Sequence, residues 1–169
     1  MKRFLLTSSA LVALSFTSAP LAIAQDADTI VVGTDVDAGT LDPRLTRDTT
    51  ASRTADLIYA GLVHITPALE PVPDLAESWE NPDPQTFIFK LRPDLTFSDG
   101  SPLTADDVVF TYTSMIDADF NAPARALYTP ITAVEAVDPL TVKFTLSAPY
   151  APLLSYLDIG IVPKALVEG

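Results

Sequence analysis

The chain contains no cysteine and a single histidine, His64, among its 169 residues. A disulfide framework is therefore excluded, and a zinc site of the Cys/His type cannot be built from this chain alone. Only six residues are glycine, and they form no P-loop, no dinucleotide-binding fingerprint and no G-x-S-x-G elbow. Because these residue sets are absent, we expect no bound metal, no cofactor and no enzymatic activity.

Basic residues are also scarce, since 10 Lys and Arg face 22 Asp and Glu and give a net charge of −12. Lys2 and Arg3 lie at the extreme N-terminus, and the first acidic residue is Asp26. Without residues 1–24 the net charge becomes −14, because 8 basic residues remain against the same 22 acidic ones. Such a surface repels phosphate groups, so the sequence argues against binding to nucleic acid or anionic lipid.

The first 24 residues differ from the rest of the chain. Lys2 and Arg3 precede an uncharged stretch of apolar and small residues that ends in Ala22-Ile23-Ala24. This order is typical of a secretory signal peptide. A short membrane anchor is the alternative, but serine, threonine and proline interrupt the stretch, and a spanning helix needs ~20 mostly apolar residues. We therefore expect an exported, periplasmic protein, which without cysteine has no site for a bacterial lipid anchor.

Hydrophobic patterning in the remaining chain predicts a mixed α+β fold. The β-branched run TIVVGT (29–34) predicts a buried strand, and TFIFKL (86–91) alternates between apolar and polar residues. We expect an antiparallel sheet that combines residues 86–91 with a hairpin of residues 131–137 and 140–146. The apolar IGIV run (159–162) near the C-terminus predicts a further strand.

A first helix is predicted in ASRTADLIYAGLV (51–63), with Thr50 or Ser52 as its N-cap and Gly61 near its end. The apolar residues with helical spacing are Ala51, Ala55, Ile58 and Leu62.

A second helix is predicted from about residue 104 to 117, with Thr104 as N-cap and Asp107 three residues later. Between the two helices, five prolines in residues 66–84 leave room only for a helical turn around LAESW (75–79). A short helix is expected in YAPLLSYL (150–157).

Candidate catalytic and metal motifs lack essential parts. The sequence DVDAG (35–39) resembles the opening of a calcium loop, but Thr46 stands where a twelfth-position Glu is needed. Asp106 and Asp107 are neighbours on the predicted helix and cannot face each other as an acid/base pair. Helix capping explains them better, and His64 is interpreted as a surface or strand-end residue.

The longest motif covers residues 75–115, LAESWENPDPQTFIFKLRPDLTFSDGSPLTADDVVFTYTSM. It resembles the signature region of the family 5 extracellular solute-binding proteins, which include the oligopeptide-, dipeptide- and nickel-binding proteins of ABC importers. The resemblance extends from about Thr29 to the end of the chain. Other segments agree with the family pattern in order and spacing, namely LDP (41–43), VEAVD (134–138), PYAPL (149–153) and IVPK (161–164).

The motif residues themselves are predicted to be structural. Asp99 and Gly100 form a turn, Thr104 caps a helix, and Trp79 is expected in the core or in packing between lobes.

The resemblance implies the N-terminal part of a two-lobed, periplasmic-binding-protein-like fold with the small extra domain of family 5. Family members are several hundred residues long and close around their ligand between two lobes. We therefore expect a signal peptide (1–24), the first segment of lobe I (25–68), and a small inserted α+β domain with the start of the return to lobe I (69–169). The second lobe is not among these residues, which predicts a fragment or a truncated gene.

The function implied by the resemblance is that of a periplasmic solute-binding component of an ABC importer, in the first place for peptides. Its partners would be a peptide or other small solute and the permease subunits in the inner membrane. Three alternatives remain open at this point: a ligand-presenting receptor for signalling or chemotaxis on the same fold, a small secreted enzyme, and a non-functional truncation.

The resemblance also implies a ligand-facing loop before the first helix, where backbone groups pair with an extended peptide. In this sequence the loop maps to Arg47, Asp48, Thr49 and Thr50. Hydroxyl, carboxylate and accessible backbone groups suit such a role. A turn that leads into the helix, with Thr50 as its cap, is the alternative interpretation.

The signal-peptide interpretation gives the first testable prediction. Because Ala22-Ile23-Ala24 has the small-residue pattern of a cleavage site, we expect export to leave Gln25 as the new N-terminus. N-terminal sequencing of the exported protein checks this, and a retained Met1 would contradict it.

Overall fold

A computed structural model describes residues 30–168 of the chain. The predicted signal peptide and its cleavage site lie outside these residues. The helices and strands of the described residues belong to the compact unit that begins at Thr34. Within residues 30–168, no helix combines the length and the apolar character needed to cross a membrane.

The described chain combines helices with antiparallel strands, which confirms the mixed α+β class. The helices are α1 (Thr49–Ile58), α2 (Ala105–Ile116), α3 (Arg125–Tyr128) and α4 (Lys164–Glu168). Two short 3-10 helices cover Pro43–Leu45 and Ala151–Tyr156. The strands are β1 (Val63–Ile65), β2 (Pro71–Pro73), β3 (Ala76–Asp83), β4 (Thr86–Leu91), β5 (Ile131–Asp138) and β6 (Thr141–Leu146).

Strands β3, β4, β6 and β5 form an antiparallel sheet in that order, and β1 pairs with β2 separately. The predicted hairpin and its pairing with residues 86–91 are confirmed, since β4 pairs with β6 and β5 with β6. The alternation in β4 and β6 places one apolar face inward, as expected from the period of two. The buried residues of these two strands are Phe87, Phe89, Leu91, Val142, Phe144 and Leu146.

Helix α2 covers this face of the sheet with an apolar stripe. Val108, Tyr112 and Met115 are fully buried. Phe144 joins the two layers, because its ring lies 5.1 Å from the Tyr112 ring and 5.5 Å from the Phe89 ring, edge-on to both. Edge-to-face pairs of this kind stabilise a core beyond the area they bury.

The N-terminus of α2 confirms Thr104 as its N-cap. The Asp107 carboxylate accepts hydrogen bonds from the Thr104 backbone N–H (2.9 Å) and the Thr104 hydroxyl (3.1 Å). Its other oxygen accepts the backbone N–H of Lys164 (3.0 Å). Asp107 therefore completes the N-terminal cap of the helix and also fixes a segment 57 residues away in sequence.

The predicted strand at residues 159–162 is wrong, since this segment forms no ladder with another strand. Its N–H groups bind other acceptors. The Val162 N–H donates to the buried Thr111 hydroxyl (3.1 Å), and the Ile161 N–H donates to the Ala60 carbonyl (2.9 Å). Gly160, Ile161 and Val162 are buried, but a hydroxyl of α2 and the Ala60 carbonyl replace a partner strand.

Two other predictions in the first half of the chain are also wrong. Residues 30–34 are not a strand, and Ile30, Val31 and Val32 are largely exposed. No strand in the described residues pairs with this run, so a β-branched sequence alone does not form a ladder.

The expected helical turn at LAESW belongs instead to β3, which tolerates Pro82 because β3 is an edge strand with a bulge there.

The first helix differs from its prediction at both ends. Asp48, not Thr50 or Ser52, is the N-cap of α1, because its carboxylate accepts the Ala51 N–H (2.8 Å). The helix ends at Ile58, where Tyr59 turns to an extended conformation, so Gly61 is not its end. Ala51 and Ala55 are buried as expected, but Ile58 is 55% exposed because it lies in the last turn.

The double role of Asp107 gives a second prediction. Replacing Asp107 by Ala should lower the free energy of unfolding by about 2 kcal/mol or more, because the backbone N–H groups of Thr104 and Lys164 lose a charged acceptor. Thr104→Ala should cost about 1 kcal/mol. Asp106→Ala is the matched control, since Asp106 is exposed and contributes only to the helix dipole, less than about 1 kcal/mol. Equal losses for Asp106→Ala and Asp107→Ala in urea unfolding would contradict this account.

Candidate functional site

The predicted ligand-facing residues lie together at the start of α1. Arg47 and Asp48 precede the helix, and Thr49 and Thr50 are its first two residues. Arg47, Asp48 and Thr49 are exposed, and Thr50 is half-buried. The segment therefore presents a cation, a carboxylate and hydroxyls to solvent within four consecutive positions.

Asp48 determines the local geometry of this loop. Its carboxylate accepts the Ala51 N–H, and its backbone carbonyl accepts the Ser52 N–H (3.0 Å). The N–H groups of Thr49 and Thr50 occupy helix positions that have no acceptor within the helix. The loop therefore offers two backbone donors beside the Thr49 hydroxyl, an arrangement that suits a carbonyl or carboxylate ligand.

The chain leading into the loop is held by the buried residue Arg44. Its guanidinium pairs with the Asp42 carboxylate (2.7 Å) and donates to the Ser114 hydroxyl on α2 (3.1 Å). Pro43 is also buried. Sequence reasoning missed Arg44, because an arginine in a polar turn is expected at the surface.

A polar cleft of about 270 Å³ lies between α1, β1 and the loop after the second 3-10 helix. Gly61 permits the close approach there, because a Cβ at this position would lie 2.5 Å from the Asp158 carbonyl oxygen. His64 is exposed on β1, which confirms its interpretation as a surface residue. The polar residues lining the cleft include Asp56, His64, Asp74 and Asp158.

The cleft gathers acidic side chains but no metal site. Among the described residues, no group of three or more His, Asp or Glu has the arrangement needed to hold a metal ion. The pKa of Asp158 is raised above its usual value, first because packing partly removes the carboxylate from solvent and second because Asp56 repels its charge. His64 acts in the opposite direction.

The loop that carries Asp158 is fixed from the core. The buried Tyr112 hydroxyl donates to the Leu157 carbonyl (3.2 Å), and the Tyr128 hydroxyl donates to the Tyr156 carbonyl (2.8 Å). Burial raises the pKa of both tyrosines well above its usual value, so both remain protonated donors.

An apolar groove of about 350 Å³ lies beside the end of α1. It includes Ile58, Phe97, Leu103, Ile161 and Leu166. Residues 47–50 line neither this groove nor the polar cleft. The structure therefore places the predicted loop on open surface, apart from both depressions.

The family model described as bacterial extracellular solute-binding proteins, family 5 Middle, matches residues 70–166, which is more than half of the chain. The chain belongs to this family. The match covers the signature motif identified in the sequence, and the structure shows that the motif residues form strands β3 and β4, the turn at Gly100 and helix α2. Trp79 packs against the core and lies 6.2 Å from the Phe89 ring, as predicted.

Individual family 5 relatives are similar to this chain in sequence and in structure. The periplasmic oligopeptide-binding protein OppA of Escherichia coli K12 is 30% identical over 160 residues, which are 83% of this chain and 30% of OppA. NikZ of Campylobacter jejuni, solved in complex with Ni(L-His), matches with a TM-score of 0.72 and 30% identity over 79% of this chain and 27% of NikZ. MoaA of A. tumefaciens R10, solved with mannopinic acid, has a TM-score of 0.72 and 36% identity over 78% of this chain and 29% of MoaA.

The chain spans about 30% of the length of these relatives. What the whole family 5 proteins bind therefore applies to this chain only as a proposal.

The environment of Asp158 gives a pH-dependent prediction. A carboxyl whose pKa is raised in the folded state stabilises the fold when protonated, and this contribution is lost as pH rises through the folded pKa. Asp158→Asn should therefore raise the melting temperature modestly at pH 7 and leave it unchanged near pH 3. The control is Asp119→Asn, because Asp119 does not line the cleft that contains Asp56, His64 and Asp158. A pH-independent difference in thermal unfolding between wild type and Asp158→Asn would contradict the assignment.

Proposed function

We propose that this chain serves in a periplasmic solute-binding component of an ABC importer, which captures a peptide and delivers it to permease subunits in the inner membrane. The observation that carries this proposal is the family 5 match over residues 70–166. The similarity to OppA supports peptides as the first ligand class to test. The mature protein is exported by the signal peptide of residues 1–24 and performs no chemistry on its ligand.

In this proposal residues 25–68 form the first segment of lobe I. Residues 69–169 form the small inserted domain and the segment in which the chain begins to return to lobe I. Residues 47–50 contribute to one wall of the ligand cleft. Their exposure supports this role, as do the unpaired N–H groups at the start of α1. An extended peptide carries carbonyls that these groups can bind, and its own N–H groups can bind the Thr49 hydroxyl or the Asp48 carboxylate.

The affinity of the 169-residue chain for a peptide should be weak. Binding proteins gain affinity by burying most of the ligand surface, and a single wall leaves much of that surface in water. Each neutral hydrogen bond contributes only about 0.5–1.5 kcal/mol net, while association costs about 4 kcal/mol or more. These contributions nearly cancel, so we expect a Kd no tighter than about 1 mM.

The test is an NMR titration of the exported chain with a pool of di- to pentapeptides. We expect the amide signals of residues 47–51 to shift, with a Kd of about 1 mM. Thr49→Val, which removes one exposed hydroxyl, should reduce the shifts. Thr113→Val is the matched control, because Thr113 is exposed on α2 and its hydroxyl bonds to the helix backbone.

Shifts confined to other surfaces would contradict the proposed cleft wall. Micromolar binding would contradict the expectation that one wall of the cleft is insufficient for tight peptide binding. A parallel titration with Ni(II)-histidine and with mannopinic acid tests whether peptides are the preferred class. Permease and ATPase genes beside the coding sequence would favour transport over ligand presentation to a signalling receptor.

A further inference from the structure

We infer that Arg44 is a positioning residue, which fixes the turn that leads into the loop of residues 47–50. This inference rests on the proposed ligand-facing role of that loop, but the position of the loop can be tested without a ligand.

The Arg44 side chain is 3% exposed, an unusual environment for an arginine. Its guanidinium binds both oxygens of the Asp42 carboxylate, with Nε at 3.0 Å from Oδ1 and Nη2 at 2.7 Å from Oδ2. The same Oδ1 accepts the Arg44 backbone N–H (2.9 Å). This closed set of contacts fixes the 3-10 helix of Pro43–Leu45 in one conformation.

Helix α2 supplies the other contacts of the guanidinium. Nη1 donates to the Ser114 hydroxyl (3.1 Å), and Ser114 in turn donates to the Thr111 carbonyl (2.7 Å), which orients its oxygen. The guanidinium carbon lies 5.1 Å from the centre of the Phe110 ring and 4.7 Å from that of Phe120. Both distances are within the range of cation–π attraction. The turn is thereby attached to the rigid core layer of the domain.

The loop therefore has an anchor on each side. Two residues separate Arg44 from Arg47, and one of them is held locally, because the Thr46 hydroxyl donates to the Pro43 carbonyl (3.3 Å). On the other side, Ala51 is fully buried at the start of α1. With both ends fixed, the free backbone donors of the loop have a defined direction before any ligand binds, which lowers the entropy cost of binding.

The contacts explain why this position needs arginine. A planar guanidinium can bind a carboxylate with two nitrogens while it lies against aromatic rings, whereas the single ammonium of lysine cannot do both. Arg44→Lys keeps the charge and loses this geometry. Ser114→Ala is a milder variant that removes only the contact to α2.

The experiment is hydrogen exchange by NMR on the exported chain, wild type and variants. The reporter amides are Leu45, which donates to the Asp42 carbonyl, and Ala51 and Ser52, which donate to Asp48. In Arg44→Lys we expect their exchange to be at least about tenfold faster, while the amide of Tyr112 in α2 changes less than about twofold. Ser114→Ala should give a smaller change in the same amides.

Arg53→Lys is the matched control, because Arg53 is exposed on α1, and its reporter amides should exchange as in wild type. Unchanged exchange at Leu45, Ala51 and Ser52 in both test variants would overturn the inference. An equal acceleration at Tyr112 in both variants would also overturn it, because Arg44 would then support the whole fold and not the loop.

The peptide titration separates this inference from the proposed function. If wild type binds peptide through residues 47–50, Arg44→Lys should weaken binding at a temperature at which the variant is still fully folded. If wild type binds no peptide while the reporter amides respond as expected, the proposed function fails and the positioning role of Arg44 stands.

Discussion

The described fold depends on one constraint, namely that buried polar groups from distant segments must find partners, and helix α2 supplies them. Asp107, Thr111 and Ser114 lie on one stripe of this helix, at positions i, i+4 and i+7. They accept hydrogen bonds from Lys164, from Val162 and from Arg44 respectively. Every buried side-chain nitrogen or oxygen among the described residues has a hydrogen-bond partner. An adjacent apolar stripe of α2 packs on the sheet, so one helix connects the beginning, the middle and the end of the described chain.

This arrangement explains what the sequence could predict and what it could not. Strands β4, β5 and β6 and helix α2 follow from local periodicity and a cap, since Phe87 and Phe89 alternate and Thr104 precedes the apolar stripe. The run at residues 159–162 has the composition of a strand, yet its hydrogen bonds go to Thr111 and Ala60. Composition predicts burial there, but it cannot specify which atoms accept the N–H groups.

In the candidate site, too, local sequence predicts some features, and contacts with distant residues determine the others. The exposure of Arg47 and Asp48 agrees with a loop that precedes a helix, and Thr49 is exposed in the first turn of that helix. The resemblance to family 5 supplied their position. The sequence gives no indication that Arg44 is buried, because its environment is created by Phe110, Ser114 and Phe120, more than sixty residues away. Asp48 as N-cap was within reach of local reasoning, since an aspartate before a helix is a common cap, but the nearby hydroxyl residues Thr50 and Ser52 were chosen instead.

Pro82 has a consequence for the behaviour of the chain in dilute solution. Among the described strands, β3 lies at one edge of the sheet, where unpaired backbone groups can recruit a strand from another molecule. Proline has no N–H to offer, and the bulge around it disrupts the regular spacing of the remaining donors. The proline-rich segment, for which sequence patterning predicted only a helical turn, thus acts against edge-to-edge aggregation at the β3 edge of the sheet.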